Sequence, residues 1–383
     1  MRTSNLAYPV GEYMKSTIKV MLVFGTRPEA IKMAPIVKAM TKNNHFQEIV
    51  VVTGQHREML NQALNDFKIV PDYDLNLMKK EQSLSSITID VIQKLDGILD
   101  KDRPDIVLVH GDTATTFAAS ISAFYHKITI GHVEAGLRTW NKYSPFPEEM
   151  NRQLTDTLAD LYFAPTIQSQ ENLLLEHHNR EHIFVTGNTA IDALNYTVHK
   201  EYNHTVLDKI EKGHRIIILT MHRRENQENG LESVFSAVKN VINEYEDVEV
   251  IFPVHLSPHV QEVAHRYFDD VDKVHLLPPL NTVDFQNIAS RSFFIMTDSG
   301  GVQEEAPSLG KPVLVLRDNT ERPEGVAAGT LKLIGTQSDN VQKNMRLLLD
   351  DRDVYQQMAS AKNPYGDGKA SEKILDIIYH HFQ

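Results

Sequence analysis

Several stretches of this 383-residue chain carry acids, cations and histidines that turns alone do not require. His110-Gly111-Asp112-Thr113 and Gly131-His132-Val133-Glu134-Ala135-Gly136-Leu137-Arg138 each follow an apolar run directly, which puts Asp112 and Glu134 at the ends of two neighbouring strands. Two acids so placed face one crevice, where burial and like charge raise a carboxyl pKa and suit it to acid–base work. As turn chemistry alone, Asp112 caps the helix that Thr113 begins and Glu134 pairs locally with Arg138. Further on, Pro145 and Pro147 fix an irregular loop and deliver Glu148 at the mouth of a helix. There it serves either as a third acid or as a complement to the helix dipole.

A second group of corners suits anions. Gly25-Thr26-Arg27-Pro28-Glu29, with Lys32 one turn later, reads as an anion seat at a helix start, or as a capped helix with a Glu29–Lys32 surface pair. His222-Arg223-Arg224 makes a local positive pole in an acidic protein. Ser299, Gly300 and Gly301 can present a hydroxyl and backbone N–H groups to a diphosphate, Glu305 one turn on can accept both hydroxyls of a ribose, and Arg322 adds a cation.

The elements that must position these residues are legible as apolar runs at 20–24, 49–52, 106–109, 128–130, 161–164 and 183–185, then at 216–219, 248–254, 274–277, 293–296 and 313–316. Continuous rather than alternating runs suit parallel strands covered on both faces. Helical patterns between them, at 28–41, 84–99, 149–159 and 231–244 for example, predict a doubly wound α/β architecture. The two sets of runs, separated by a polar stretch at 186–212, predict two such sheets with the ligand cleft between them.

Several classes of protein are excluded or disfavoured. With no cysteine, there is no disulfide, thiolate zinc site or cysteine nucleophile. A formal charge of −12 disfavours sequence-independent nucleic-acid binding, and no apolar run approaches the ~20 residues that span a bilayer, so neither a nucleic acid nor a membrane is expected as partner. The first 17 residues read as a loose arm or appended remnant without a secretory pattern, and the expected location is the cytoplasm. The G-x-G-x-x-G, Walker A, H-E-x-x-H, EF-hand and G-x-S-x-G patterns are all missing, the histidines are scattered, and His177-His178 reads as a solvated helix face. No metal ligand set is expected.

Taken together, FGTRPEAIKMAP (24–35), HGDT (110–113), GHVEAGLRT (131–139), PEEMNR (147–152), HRREN (222–226), TDSGGVQEEAPSLGKPVLVLRD (297–318) and ERPE (321–324) resemble the bacterial non-hydrolysing UDP-N-acetylglucosamine 2-epimerases, in family order. The resemblance implies two Rossmann-like domains in a GT-B-like arrangement, at 18–186 with a returning helix at 368–383, and at 187–367. It implies interconversion of UDP-GlcNAc and UDP-ManNAc without a cofactor such as NAD and without metal. Catalytic positions fall on Asp112, Glu134, Glu148 and His222, and UDP-sugar positions on Arg27, Lys32, Phe285, Ser299, Gly301, Glu305 and Arg322; Leu280 stands at a uracil-contacting position. A second UDP-GlcNAc acts as activator in some members. Its positions fall on Gln55, Glu148, Arg223 and His255, whereas Glu58 and Glu81 replace an amide and an arginine and should weaken that site. A homodimer is also implied.

Without a nicotinamide to oxidise the sugar, inversion at C2 requires loss of the C2 proton together with departure of UDP from C1, through a 2-acetamidoglucal. Carboxylates near the sugar and cations on the leaving group serve those two needs. A GT-B glycosyltransferase, a hydrolysing epimerase and a non-catalytic nucleotide-sugar sensor are the competing readings. The three acids on the sugar side favour epimerisation.

Overall fold

The structure, a computed structural model, describes residues 17–383 except 55–56, 79–81, 224–225, 227–229 and 321, together with the backbone alone of 57–58. The N-terminal arm before Thr17, Gln55, Glu81 and the side chain of Glu58 therefore lie outside the described residues.

Among the described residues, thirteen strands form two wholly parallel sheets. The first contains β1 (Ile18–Phe24), β2 (Phe46–Val52), β3 (Tyr73–Asp74), β4 (Ile106–His110), β5 (Thr129–Val133), β6 (Leu161–Ala164) and β7 (Ile183–Val185), in the order β3-β2-β1-β4-β5-β6-β7. The second contains β8 (Arg215–Thr220), β9 (Val248–Pro253), β10 (Val274–Leu277), β11 (Phe294–Thr297), β12 (Val313–Val315) and β13 (Leu331–Leu333), in the order β10-β9-β8-β11-β12-β13. The chain direction across each sheet reverses once, at β1/β4 and at β8/β11, and crevices at such points collect ligands.

Helices α1 (Arg27–Met40), α2 (Arg57–Asp66), α3 (Leu84–Asp102), α4 (Ala114–Tyr125), α5 (Glu148–Leu158), α6 (Ile167–Leu175) and α7 (Thr189–Thr197) are interleaved with or follow the first set of strands. With the second come α8 (Gly230–Ile242), α9 (Pro258–Phe268), α10 (Thr282–Arg291), α11 (Gly300–Glu305), α12 (Pro323–Ala327), α13 (Ser338–Asp350), α14 (Arg352–Ser360) and α15 (Ala370–His381). Burial on both faces explains the unbroken apolar runs: along β1, Val20, Leu22 and Phe24 join one core while Met21 and Val23 join the other. The second sheet likewise separates two cores, with Ile217 and Leu219 on one side and Ile216 and Ile218 on the other.

The chain passes between the lobes twice. After β7 it runs through Thr186–Asn188 into α7, whose Ala193 is still buried in the core of β1 and α1, and after the second sheet it returns to α15, whose Ile374, Leu375 and Ile378 are buried in that same core. The turn before α7 and the returning segment are tied together: Asn188 N–H donates to the Tyr365 carbonyl at 2.7 Å, and Lys373 Nζ reaches the Thr186 carbonyl at 3.3 Å.

Candidate functional site

The carboxyl ends of both sheets open onto one cleft. After β1, Thr26 caps α1, and Glu29 completes a capping box by accepting from Thr26 N–H at 2.7 Å. Glu29 is buried and also accepts from Gly25 N–H at 3.0 Å and the Thr113 hydroxyl at 2.7 Å, so it joins the corners that follow β1 and β4. Burial pushes its pKa up. Glycine is required at 25, since a Cβ there would stand 2.0 Å from Thr53 Oγ1. The Glu29–Lys32 surface pair is not what forms: Lys32 turns into the cleft and donates to Glu134 Oε1.

Glu134 follows β5 with φ of 67°, a left-handed backbone conformation uncommon for a side chain of this kind and one that aims it into the cleft. Asn188 Nδ2 donates to its Oε1 at 3.2 Å, and His110 Nε2 stands 3.5 Å from its Oε2. Burial opposes its ionisation, but Lys32, His110 and Arg322 outweigh this and hold its pKa well below the usual carboxylate range. The expectation that both strand-end acids are raised therefore fails for Glu134, because cations rather than Asp112 dominate its surroundings. It holds for Asp112, which burial pushes up even though Arg152 Nη2 donates to its Oδ2 at 2.5 Å. Neither local alternative is observed. Thr113, not Asp112, caps α4, and Arg138 bonds Asp156 and Glu176 rather than Glu134.

Glu149 accepts from Thr139 N–H and Trp140 N–H, both at 3.0 Å, folding the 139–149 loop back on itself. Glu148 starts α5, and its Oε2 is buried with no hydrogen-bond partner among the described residues.

Across the cleft, Asp298 organises the second lobe's corner. It accepts from the backbone N–H of His222 at 2.9 Å and of Arg223 at 2.8 Å, and its Oδ1 lies 3.0 Å from His222 Nδ1. His255 stacks on His222, with ring centroids 5.7 Å apart. Ser299 precedes α11, and a Cβ on Gly300 would face the guanidinium groups of Arg322 and Arg223 at 3.6 and 3.9 Å. Arg322 Nε donates to Glu304 Oε1.

A cavity of ≈530 Å³ is lined by Arg27, Phe285, Ser299, Gly301, Glu305 and Arg322, with Leu280 in its wall. A second, of ≈850 Å³, is lined by Asp112, Glu134, Arg152, Arg223, Arg317 and Arg322. Arg322 borders both, so an elongated polar ligand fits with one end among the glycines and the other among the acids. Burial of the Glu305 carboxyl pushes its pKa up to about 7, moderated by Gln286 Nε2, which donates to it at 2.8 Å. The lobes touch over the cleft where Arg27 Nη2 donates to Thr282 Oγ1 at 2.7 Å.

The cleft thus gathers Arg27, Lys32, Asp112, Glu134, Phe285, Ser299, Gly301, Glu305 and Arg322, with Arg223 beside them and His222 in the adjoining turn. Sequence reasoning missed Asn188, Glu304 and Arg317, whose roles depend on contacts far along the chain. His177-His178 is also corrected: both follow α6 rather than lying on it, and His178 Nδ1 is 3.0 Å from the Tyr162 hydroxyl. Among the described residues, Asp96, Asp100 and His126 could share a cation, but they lie outside the cleft.

The family model described as UDP-N-acetylglucosamine 2-epimerase matches residues 38–379. A Bacillus subtilis UDP-N-acetylglucosamine 2-epimerase is 58% identical over 365 residues, covering 95% of this chain and 96% of that protein. A solved UDP-N-acetylglucosamine 2-epimerase is 56% identical with a TM-score of 0.90, covering 96% of both chains. The Neisseria meningitidis UDP-GlcNAc 2-epimerase solved bound to UDP-GlcNAc is 47% identical with a TM-score of 0.83, covering 95% of this chain and 100% of that one.

Proposed function

Because this chain belongs to the UDP-N-acetylglucosamine 2-epimerase family, we propose that it interconverts UDP-GlcNAc and UDP-ManNAc by eliminating and re-adding UDP. The observation that carries this reading is the convergence on one cleft of two partly buried acids, Asp112 with its pKa pushed up and Glu134 with its pKa held down, among cations supplied by both lobes. Acids separated in this way can divide the roles of proton donor and proton acceptor.

In the forward direction, Glu134 takes the proton from C2. The C–H electron pair becomes the C1=C2 bond of 2-acetamidoglucal, and the C1–O bond breaks with its electrons leaving on UDP. Asp112 then gives its proton to C2 from the other face as UDP adds back to C1, and the reverse reaction exchanges the two roles. Glu148 assists on the sugar side. Arg27, Lys32, His222 and Arg322 stabilise the departing diphosphate. Ser299, Gly300 and Gly301 lie along it, Glu305 accepts the ribose hydroxyls, and Phe285 and Leu280 flank the base. The closed cleft retains the glucal and UDP between the two half-reactions.

The functional lobes are assigned to 18–186 with 368–383, and to 187–367. The working form is a homodimer in the cytoplasm, and its product supplies surface-polysaccharide synthesis. Arg223 and His255 offer a seat for a second UDP-GlcNAc as activator. Turnover of UDP-ManNAc that is linear from the start and unchanged by trace UDP-GlcNAc would count against that seat.

The direct test is an NMR time course of the pure protein with UDP-GlcNAc in D2O. Appearance of UDP-ManNAc carrying deuterium at C2 is expected. Absence of a second UDP-sugar would overturn the activity, and a product still carrying protium at C2 would overturn the elimination route.

A further inference from the structure

One side chain outside every motif connects the acids of the cleft to both lobes. Asn188 lies in the turn between β7 and α7, is 4% exposed, and uses its whole amide. Its Oδ1 accepts from Ala190 N–H at 2.9 Å and caps α7. Its Nδ2 donates to Glu134 Oε1 at 3.2 Å and to Glu304 Oε2 at 3.0 Å. Its backbone N–H is bonded to the Tyr365 carbonyl, on the returning crossing, and the Tyr365 hydroxyl bonds the Arg322 carbonyl at 3.1 Å. The result is a row, Lys32–Glu134–Asn188–Glu304–Arg322, with cations at its ends, a carboxylate inside each, and the neutral amide at its centre.

Two carboxylates from opposite lobes converge on one NH₂ group, and each has a cation on its far side. A diphosphate in the cleft competes for both of those cations, whereas the amide carries no charge to attract it. We propose that Asn188 is a positioning residue for the epimerisation reaction: while Lys32 and Arg322 are shared with the diphosphate, its amide keeps Glu134 aimed at the sugar and ties that aim to the closed arrangement of the lobes. This inference rests on the role assigned to Glu134 above. An amide suits the position because it gives both acids a donor without a charge that would bind the leaving group.

The helix cap and the bridge can be separated. Asn188→Ser and Asn188→Asp both retain an oxygen that caps α7, but serine is too short to reach the two acids and aspartate sets a third carboxylate between them. The groups facing Glu134 are Lys32 from α1, His110 from β4, Asp112 from the next turn, and Glu304 and Arg322 from the other lobe, and neither variant replaces any of them. The experiment measures kcat, KM and UDP affinity for wild type and both variants across pH.

The expected result is a fall in kcat of about tenfold or more with UDP affinity held within about twofold, and an acidic limb of kcat, which the Glu305 effect on KM leaves level, moved to higher pH by roughly one unit in the serine variant and further in the aspartate variant. An unmoved limb in either variant would overturn the proposal, as would loss of UDP binding or of folded protein in both. A wild-type protein that fails to epimerise would instead sink the functional reading.

Discussion

Arg152, on α5, donates a 2.5 Å hydrogen bond to Asp112, at the turn after β4, and its neighbour Asn151 donates to the Asp112 carbonyl at 2.9 Å. One turn of helix therefore grips the acid at both its side chain and its backbone. Burial raises the Asp112 pKa, and Arg152 restrains that rise. Since Asp112 must hold a proton to donate one, activity is lost as pH rises through its pKa. Arg152→Gln removes the restraint and should move the alkaline limb of kcat/KM to higher pH, with a rate loss of about 100-fold from misorientation. A pH–rate profile checks both.

Lys32 acts in the opposite sense on Glu134. Burial raises this carboxyl, but Lys32 is the largest influence holding it down, and an acceptor that must be ionised fails as pH falls through its pKa. Lys32→Met leaves only the weaker influences of His110 and Arg322 to oppose burial. The acidic limb should therefore move toward neutrality, while the rate falls by about 100- to 1,000-fold because the leaving diphosphate also loses a cation. The measurement is the acidic limb of the kcat profile together with UDP affinity.

These pairings mark the limit of what the chain discloses before folding. The central strands were legible because burial on both faces writes them as apolar runs, and their polar ends marked Asp112, Glu134 and His222. The edges were not: β3 is two residues, and in β13 the exposed Lys332 interrupts the apolar run between Leu331 and Leu333. Lys32 was visible as a cation one turn into a helix, yet its partner lies 102 residues away, and only the order β1-β4-β5 brings the two together. The same distance explains why the sign of the Glu134 shift was misread. Asn188 and Glu304, 116 residues apart, look like an ordinary cap and a solvated helix residue until the lobes are placed.

A buried network behind β5 supports the site mechanically. Asp156 is bonded by His132 Nδ1 at 2.6 Å and Arg138 Nη2 at 2.6 Å, and it also accepts from Gly136 N–H at 3.3 Å in the turn that bears Glu134. Burial alone would raise its pKa, but the two partners lower it. A depressed folded pKa means that its stabilisation is full above the unfolded value of about 3.9 and is lost as pH falls through the folded one. Asp156→Asn leaves Arg138 paired with Glu176 but weakens its bond and that of buried His132 to position 156, and should cost about 1–3 kcal/mol at neutral pH. It should also flatten the decline in stability below about pH 4. Denaturant titrations at several pH values test the magnitude and the slope.

Glu305 offers a test at the nucleotide end. Its carboxyl, pushed up to about 7 by burial, is only half ionised near neutrality in the free protein, and a ribose diol is better bound by a carboxylate with two accepting oxygens than by its acid form. Substrate binding should therefore weaken as pH falls. Protonation linkage with that pKa raises the KM for UDP-GlcNAc about tenfold between about pH 8 and pH 6, leaving kcat nearly level. In Glu305→Gln, the KM should be high throughout and lose this dependence, because no proton can occupy the amide. Titration calorimetry with UDP across the same range isolates the effect from chemistry: a wild-type affinity for UDP that does not change over those two pH units would remove Glu305 from the ribose site.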